Sequence, residues 1–403
     1  MNLFKYCKTR SLVALTHSPW PPSAAVAPRL DSSSPIEEEK TPYYAARHFY
    51  PVFLSQVLNG RYQIATKLGY GSSSTVWLAR DLHSWRWSQQ RYVALKINTV
   101  NYRRCQQTSE NELTIGLIHI DGASGTHLCL VLEPLREPLW LYCRRFVGGV
   151  IPCNVLKIIL QMTLQGLDYL HSECEVIHTD LKPDNILVKI EDPAILDRDA
   201  RDEYLNPLPQ KITDNGIIYL SRNDYGQFSK PTGIIQITDF GSSVSGKIPH
   251  FGCIQADSYR APEVILDGGY SYSADIWSLG VMIWDLLEGR RLLDPIDKRM
   301  GEEYDERVHI AQLTGLLGPP PNDMLSYGQR TSIFYTPDGR FKHPDLVPQD
   351  IEFEKTVTRI SGLEKAKFLE FAKRMIRWNP SERSTARDLL KDPWLYEDYP
   401  CEM

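Results

Sequence analysis

The stretch Val176-Ile177-His178-Thr179-Asp180-Leu181-Lys182-Pro183-Asp184-Asn185-Ile186-Leu187-Val188 sets a carboxylate, an ammonium and a carboxamide within six residues, at Asp180, Lys182 and Asn185. The short apolar runs on either side, Val176-Ile177 and Ile186-Leu187-Val188, predict buried strands gripping a tight loop. Phosphoryl transfer suits such a loop. It demands little covalent chemistry, only an oriented acceptor hydroxyl, neutralised phosphate oxygens and a divalent metal. Asp180 can take or orient the hydroxyl proton, Lys182 can neutralise the moving group, and Asn185 offers a neutral oxygen to magnesium, which prefers hard oxygen ligands.

Upstream, Tyr62-Gln63-Ile64-Ala65-Thr66-Lys67-Leu68 alternates as a strand, and Gly69-Tyr70-Gly71-Ser72-Ser73-Ser74-Thr75-Val76-Trp77-Leu78 turns back into a second. Such a hairpin can lie over nucleotide phosphates, with Val76 covering the base; by itself a Gly-x-Gly is more often a plain turn. Val93-Ala94-Leu95-Lys96 is an apolar strand closing on a lysine. Glu110-Asn111-Glu112-Leu113 follows as a helical segment whose Glu112 can pair with Lys96. Downstream, Leu156, Ile159, Leu160, Thr163, Leu164, Leu167 and Leu170 fall on one helical face. A long connection of mixed charge and breakers comes after the catalytic stretch, with Gly216-Ile217-Ile218-Tyr219-Leu220 as a short strand. The alternating strand Ile234-Ile235-Gln236-Ile237-Thr238 delivers Asp239-Phe240-Gly241, and Asp239 is the second candidate magnesium ligand. Ser273 reads as the N-cap of a buried helix in which Asp275 would hold the catalytic loop's backbone. Residues 363–378 and 385–390 read as amphipathic helices, and Arg383 between them can pair with Glu263.

Together the glycine hairpin, Ala-x-Lys, His-x-Asp-x-Lys-x-x-Asn, Asp-Phe-Gly, Ala-Pro-Glu, Asp-x-Trp-Ser-x-Gly and the late Arg resemble the eukaryotic protein kinases over residues 60–395. Within that family the chain looks like the fungal-type SR-protein kinases. The carriers are Thr179 where most kinases have Arg, Ser74-Thr75-Val76-Trp77-Leu78 in place of a third glycine, Gly125-Thr126-His127-Leu128-Cys129, Ile254-Gln255 with Tyr259-Arg260, and the insertion. The resemblance implies an α+β bilobal fold, a small antiparallel sheet lobe and a larger helical lobe, with ATP and Mg2+ between them. It implies that Leu68, Gly69, Gly71, Val76, Ala94, Lys96, Glu112, Leu132, Glu133 and Leu135 contact ATP, that Asp180 and Lys182 are catalytic, and that Asn185 and Asp239 hold the metal. His178, Asp275, Glu263 and Arg383 support the site. The implied activity is transfer of the ATP γ-phosphoryl group to serines, typically in Arg-Ser-rich splicing factors, by a monomer moving between cytoplasm and nucleus.

The 403 residues, 42% hydrophobic, suffice for a large core, and a net charge of -5 gives no general attraction to nucleic acid or anionic membrane. The eight cysteines form no Cys-x-x-Cys pair, and no apolar run reaches the roughly 18 residues that span a bilayer. Residues 1–45, rich in Pro and Ser, read as a disordered tail; its Lys5, Lys8, Arg10 and Arg29 also fit a mitochondrial transit peptide. The expected division is a small lobe at 46–134 and a large lobe at 135–403 with an insertion at about 190–233. Two features cut across the resemblance. Only 13 residues, including Gly116, Gly122 and Gly125, separate Leu113 from His127, too few for a full regulatory helix and a further strand. That shortening opens an alternative, a scaffold that binds splicing proteins without turnover. The acids Glu302, Glu303, Asp305 and Glu306, suited to a basic peptide, interleave with Arg290, Arg291, Lys298, Arg299 and Arg307 and equally read as a solvated face.

Overall fold

The computed structural model describes residues 16–100, 115–228, 234–297 and 303–399. The chain divides into two compact units, Met1–Glu137 with Lys189–Thr232, and Pro138–Val188 with Gly233–Met403.

The first unit is built on an antiparallel sheet of β1 (Val57–Leu58), β2 (Tyr62–Gly71), β3 (Ser74–Asp81), β4 (Tyr92–Asn98), β5 (Gly116–Gly122) and β6 (Gly125–Leu132), ordered β1-β2-β3-β4-β6-β5. Alternation along the strands gives it two chemically different faces. Trp77, Ala79, Val93, Leu95, Ile97, Cys129 and Val131 form one, a core closed by Val52, Leu58 and Tyr219. Val76, Ala94, Lys96 and Leu132 belong to the other.

β5 corrects the sequence reading. The 13 residues counted as too few for both a full helix and a further strand do hold the strand, which pairs with β6 from Gly116↔Val131 to Gly122↔Gly125. The three glycines suggested breakers, yet two of them open and close the turn between β5 and β6, and Leu117, His119 and Asp121 are exposed while Ile120 is buried, the alternation of a half-covered edge. The shortened helix expected around Glu112 lies outside the described residues.

The insertion also departs from expectation: it belongs to the small unit. The helix Ala194–Leu205 lays Leu196 and Ala200 on Ala65, Leu78 and Tyr92, while the hairpin of Gln210–Thr213 and Gly216–Tyr219 brings Tyr219 edge-on to Trp77 at 5.4 Å on the opposite face. Its helix was illegible because its buried face carries carboxylates. Asp199 and Glu203 are buried beside Arg198 and Arg222, so charge hides the apolar period. The insertion's return closes on Arg136; its guanidinium is fully buried, paired with Glu137 and Glu191, and 4.0 Å from the Phe228 ring.

Nor is the tail disordered over residues 16–45. Gln63 grips the Trp20 backbone, Oε1 accepting from its N–H at 2.9 Å and Nε2 donating to its carbonyl at 2.7 Å. The Arg80 guanidinium lies 4.1 Å from the indole centroid and Tyr204 meets it edge-on at 5.2 Å. Low hydrophobicity argues against a self-standing core, not against a segment that borrows one.

The second unit is mainly helical. α1 (Cys153–Ser172) buries six of the seven positions predicted for its inner face, with Leu170 half-buried. Gly166 lets it pass close to the strand Ile235–Ile237 of the same unit, for a Cβ there would stand 3.0 Å from Ile237. β7 (Val176–Ile177) and β8 (Ile186–Lys189) flank the catalytic loop as predicted; β9 (Ile235–Ile237) pairs with β8, and β10 (Val244–Ser245) with β7. α2 (Ser273–Leu287) is the buried central helix, but Ser273 is its first residue rather than its cap, the capping position being Tyr272 without a side-chain bond. α3 (Glu306–Leu317) and α4 (Gly362–Lys373) complete the frame; α4 stops five residues before the predicted Trp378. Trp284 on α2 packs against Phe368 at 5.4 Å, which packs in turn on Trp394 at 5.2 Å. The five described cysteines are free, and no described helix is long and apolar enough to cross a membrane.

Candidate active site

The catalytic loop hangs from one carboxylate. Asp275 on α2 is buried and accepts from the backbone N–H of His178 (2.8 Å) and of Thr179 (2.9 Å), while His171 from α1 reaches its Oδ2 at 2.9 Å. This satisfies two donors that a tight buried turn leaves without ladder partners. The His178 ring meets the Thr238 carbonyl at 2.9 Å and packs edge-on against Phe240 at 5.1 Å, tying the loop to the strand end that carries Asp239.

Thr179 sits at φ +70°, a left-handed conformation that a β-branched residue adopts only under constraint. Three hydrogen bonds supply it: its N–H to Asp275, its Oγ1 to the Ser242 carbonyl at 2.8 Å, and the Gln255 N–H to its carbonyl at 3.0 Å. Asp239 is also left-handed, at φ +63°.

The result is a compact polar cluster. Lys182 Nζ lies 2.8 Å from Asp180 Oδ2, and Asn185 Nδ2 donates to the Asp180 carbonyl at 2.8 Å and to Oδ2 at 3.1 Å. Asp180 and Lys182 keep a quarter of their side chains exposed, enough to meet a substrate. The Thr238 N–H donates to the Asn185 carbonyl at 2.8 Å, so Asn185 and Asp239 come from adjoining strands joined at this point. With Nδ2 committed to Asp180, the Asn185 Oδ1 is left as an acceptor, and Asp239 is exposed. The pair fits magnesium, whose usual protein share is one or two oxygens, phosphates and water supplying the rest. Accordingly, no group of three His, Cys, Asp or Glu suited to a metal occurs among the described residues. Neighbouring Asp184 has its pKa raised, by burial first, with Asp180 adding to the effect and Lys182 opposing it.

Glu263 and Arg383 do pair, Nη1 to Oε1 at 2.7 Å and Nη2 to Oε2 at 2.6 Å, both side chains fully buried. Sequence reasoning gave Gln255 no role. Its backbone is left-handed at φ +67°, and its side chain accepts from the Ala261 N–H at 2.8 Å and donates to the Ala274 carbonyl and Ser278 Oγ at 2.9 Å, locking the segment after Asp239 to α2. Ile254-Gln255 carried part of the resemblance, but nothing in the sequence says which backbone groups the amide would meet.

In the first unit, Val76 stands opposite Lys96 and Ala94 opposite Leu132 in the ladder, so these four share one face. Gly69 faces Val76, and Gly71 faces Ser74 at the hairpin tip. Leu68 lies at a register shift between Lys67 and Gly69 and packs on the Leu78 side of the sheet. Leu135 is buried, while Glu133 is exposed, 3.5 Å from Lys189.

The loop with its carboxylate, ammonium and carboxamide, and in the other unit the glycine hairpin and Lys96 on one sheet face, are the two sets of residues that the resemblance to protein kinases rests on. Residues 62–395 match the family described as the protein kinase domain. A serine/threonine protein kinase of Aspergillus fumigatus is 36% identical over 402 residues, covering 94% of this chain and 96% of the relative. A serine/threonine-protein kinase SRPK of Physarum polycephalum is 30% identical over 401 residues, covering 89% and 91%. SRSF protein kinase 3 of Sus scrofa is 24% identical over 540 residues, 94% of each. A crystal structure of a kinase domain superimposes with a TM-score of 0.64 at 21% identity, over 86% of this chain and 99% of that one, which speaks for the fold. The chain belongs to the protein kinase family, in its SR-protein-kinase-like branch.

Proposed function

We propose that this serine/threonine protein kinase transfers the γ-phosphoryl group of ATP to serines in Arg-Ser-rich proteins. The observation that carries the reading is the Asp180–Lys182–Asn185 cluster, in a chain whose relatives include proteins named SRPK and SRSF protein kinase. Asp180 has its Oδ2 engaged by Lys182 and Asn185, so Oδ1 is the atom that receives or orients the serine hydroxyl proton. The serine oxygen bonds to the γ-phosphorus as the bond to the β,γ-bridging oxygen breaks, ADP leaves, and the proton passes from the hydroxyl to solvent by way of the carboxylate. Lys182 neutralises charge on the phosphoryl oxygens in flight; Lys96 steadies the nucleotide phosphates. Magnesium bound at Asn185 and Asp239 would neutralise the phosphate chain.

The Arg-Ser preference is supported by the relatives' names more than by the acidic run. Asp305 caps α3 and pairs with Arg307, and Glu306 is held by Arg330 at 2.6 Å, leaving Glu303 as the exposed acid of that run among the described residues. Thr179 supports a second part of the proposal, activity without phosphorylation of the activation segment. In many kinases an Arg here needs a phosphate to compensate it; here a hydroxyl spends itself on the Ser242 carbonyl. We further propose that the enzyme acts as a monomer in cytoplasm and nucleus. The scaffold alternative finds no support: the matched family and relatives are named kinases, and the edge strand counted as missing in that reading is β5.

The test is γ-phosphate transfer from Mg-ATP to an Arg-Ser repeat peptide and a Lys-Ser control, before and after phosphatase treatment of the pure protein. Transfer to the Arg-Ser peptide alone, unchanged by phosphatase, is expected. Asp180→Asn should lower turnover about 10²–10⁴-fold with an unchanged circular dichroism spectrum. Equal transfer to both peptides would end the specificity proposal, and loss of activity after phosphatase the second part.

A further inference from the structure

Lys67 is a charged residue in the wrong place. Its side chain is fully buried on the core face of the sheet, opposite Trp77, two positions before the first glycine of the hairpin. A buried ammonium persists only with partners. Those come from Ile36-Glu37-Glu38-Glu39, far upstream. Glu38 contacts Nζ directly, Glu37 lies 3.4 Å away, and the Tyr219 carbonyl of the insertion accepts at 3.0 Å. The same acidic run grips the insertion twice more. Glu37 accepts from the Ser221 N–H at 3.1 Å and hydroxyl at 2.6 Å, and Glu39 takes both oxygens to Lys211 Nζ at 2.9 and 2.7 Å.

The position of Lys67 gives this clasp a purpose beyond cohesion. The register shift between Lys67/Trp77 and Gly69/Val76 is a bulge, the device that sets the angle at which a strand continues. Whatever fixes Lys67 fixes the direction in which the Gly69–Ser74 turn leaves the sheet. A polar clasp does so with direction, because Nζ is held by a carboxylate and a carbonyl on different elements, and the Arg222 N–H is bonded to the Lys67 carbonyl at 2.8 Å.

We propose that Glu38, with Glu37, is a positioning residue for ATP, acting through Lys67 to aim the glycine hairpin. The proposal rests on the reading that the hairpin and Lys96 meet the nucleotide. It makes the segment before the matched kinase domain part of the nucleotide site, although it contacts no nucleotide itself.

The test uses the full chain and steady-state kinetics with Mg-ATP and a fixed serine acceptor. Glu38→Gln is expected to raise KM for ATP about tenfold, the scale of a small misplacement, with kcat and KM for the acceptor within about twofold. Should that variant not fold, Glu38→Leu with Lys67→Met removes both charges together. It is expected to restore folding yet keep the raised KM for ATP, since an apolar pair gives the bulge no direction. Unchanged KM for ATP in either folded variant, equal changes in all constants, or failure of both variants to fold overturns the proposal. Lys96→Met runs alongside: if it leaves ATP kinetics untouched, the nucleotide lies elsewhere and the reading beneath fails; if it alone impairs them, only the clasp fails.

Discussion

Thr179 in the catalytic loop is held by Asp275, Ser242 and Gln255, all within its own unit and most within hydrogen-bond reach of backbone; Lys67 beside the glycine hairpin is held by carboxylates at 37 and 38 and a carbonyl at 219. Both regions must present reactive groups at fixed angles. The loop does it with short neutral or singly charged hydrogen bonds, the hairpin with a buried ion cluster gathered from two distant segments. Losing the carboxylate that holds the loop leaves backbone donors unpaired, whereas losing one at the hairpin leaves a buried ammonium short of a counter-charge.

The hardest blow to the loop is Asp275→Ala. It strands the buried N–H groups of His178 and Thr179 and releases the strained backbone, at an expected cost of about 3–5 kcal/mol in urea unfolding, with activity lost. A loss under about 1 kcal/mol would mean the loop holds itself.

A second aspartate of α2, half-buried, behaves oppositely. Asp285 accepts from the Tyr259 hydroxyl at 2.8 Å, and burial pushes its pKa up to about 6, with Asp184 adding and Tyr259 and Arg291 opposing. Its folded value exceeds the unfolded 3.8, so between these values the native state holds the extra proton and stability falls as pH rises through about 6. Asp285→Asn should remove that slope and stabilise at pH 7 by about 1–3 kcal/mol relative to its effect at pH 4. Urea midpoints at the two pH values check it; parallel shifts at both would show that the carboxylate is not paying this penalty.

Smallest is Trp20→Ala in the segment wrapped on the first unit. Losing the Arg80 contact and the Tyr204 edge should cost about 1–2 kcal/mol, read as a lower Tm. An unchanged Tm would return residues 16–45 to the status of a loose tail.

The comparison also explains what the sequence disclosed. The catalytic loop was legible because its chemistry is crowded into one stretch and its strands are apolar on both sides, and Glu263 with Arg383 could be matched because each stands in a motif of the kinase resemblance. Unit 1's wrapping was not. The helix Ala194–Leu205 buries Asp199 and Glu203, and the acidic run at 37–39 answers lysines at 67 and 211; neither pairing has a local period. The edge strand β5 was misread because glycine signals turns more strongly than Leu117-Ile118-His119-Ile120 signals alternation.

β1 is only two residues long, yet Val57 and Leu58 pair with Gln63 and Tyr62, and Ser55 and Gln56 exchange further bonds with Ile64. The span matching the kinase domain begins at Tyr62, so a chain trimmed there would start on a strand whose outer hydrogen-bonding edge had lost its cover. An open edge is a template for another copy. The short strand thus covers an edge: a chain lacking only residues 55–58 of that cover should self-associate at concentrations where the full chain stays dispersed.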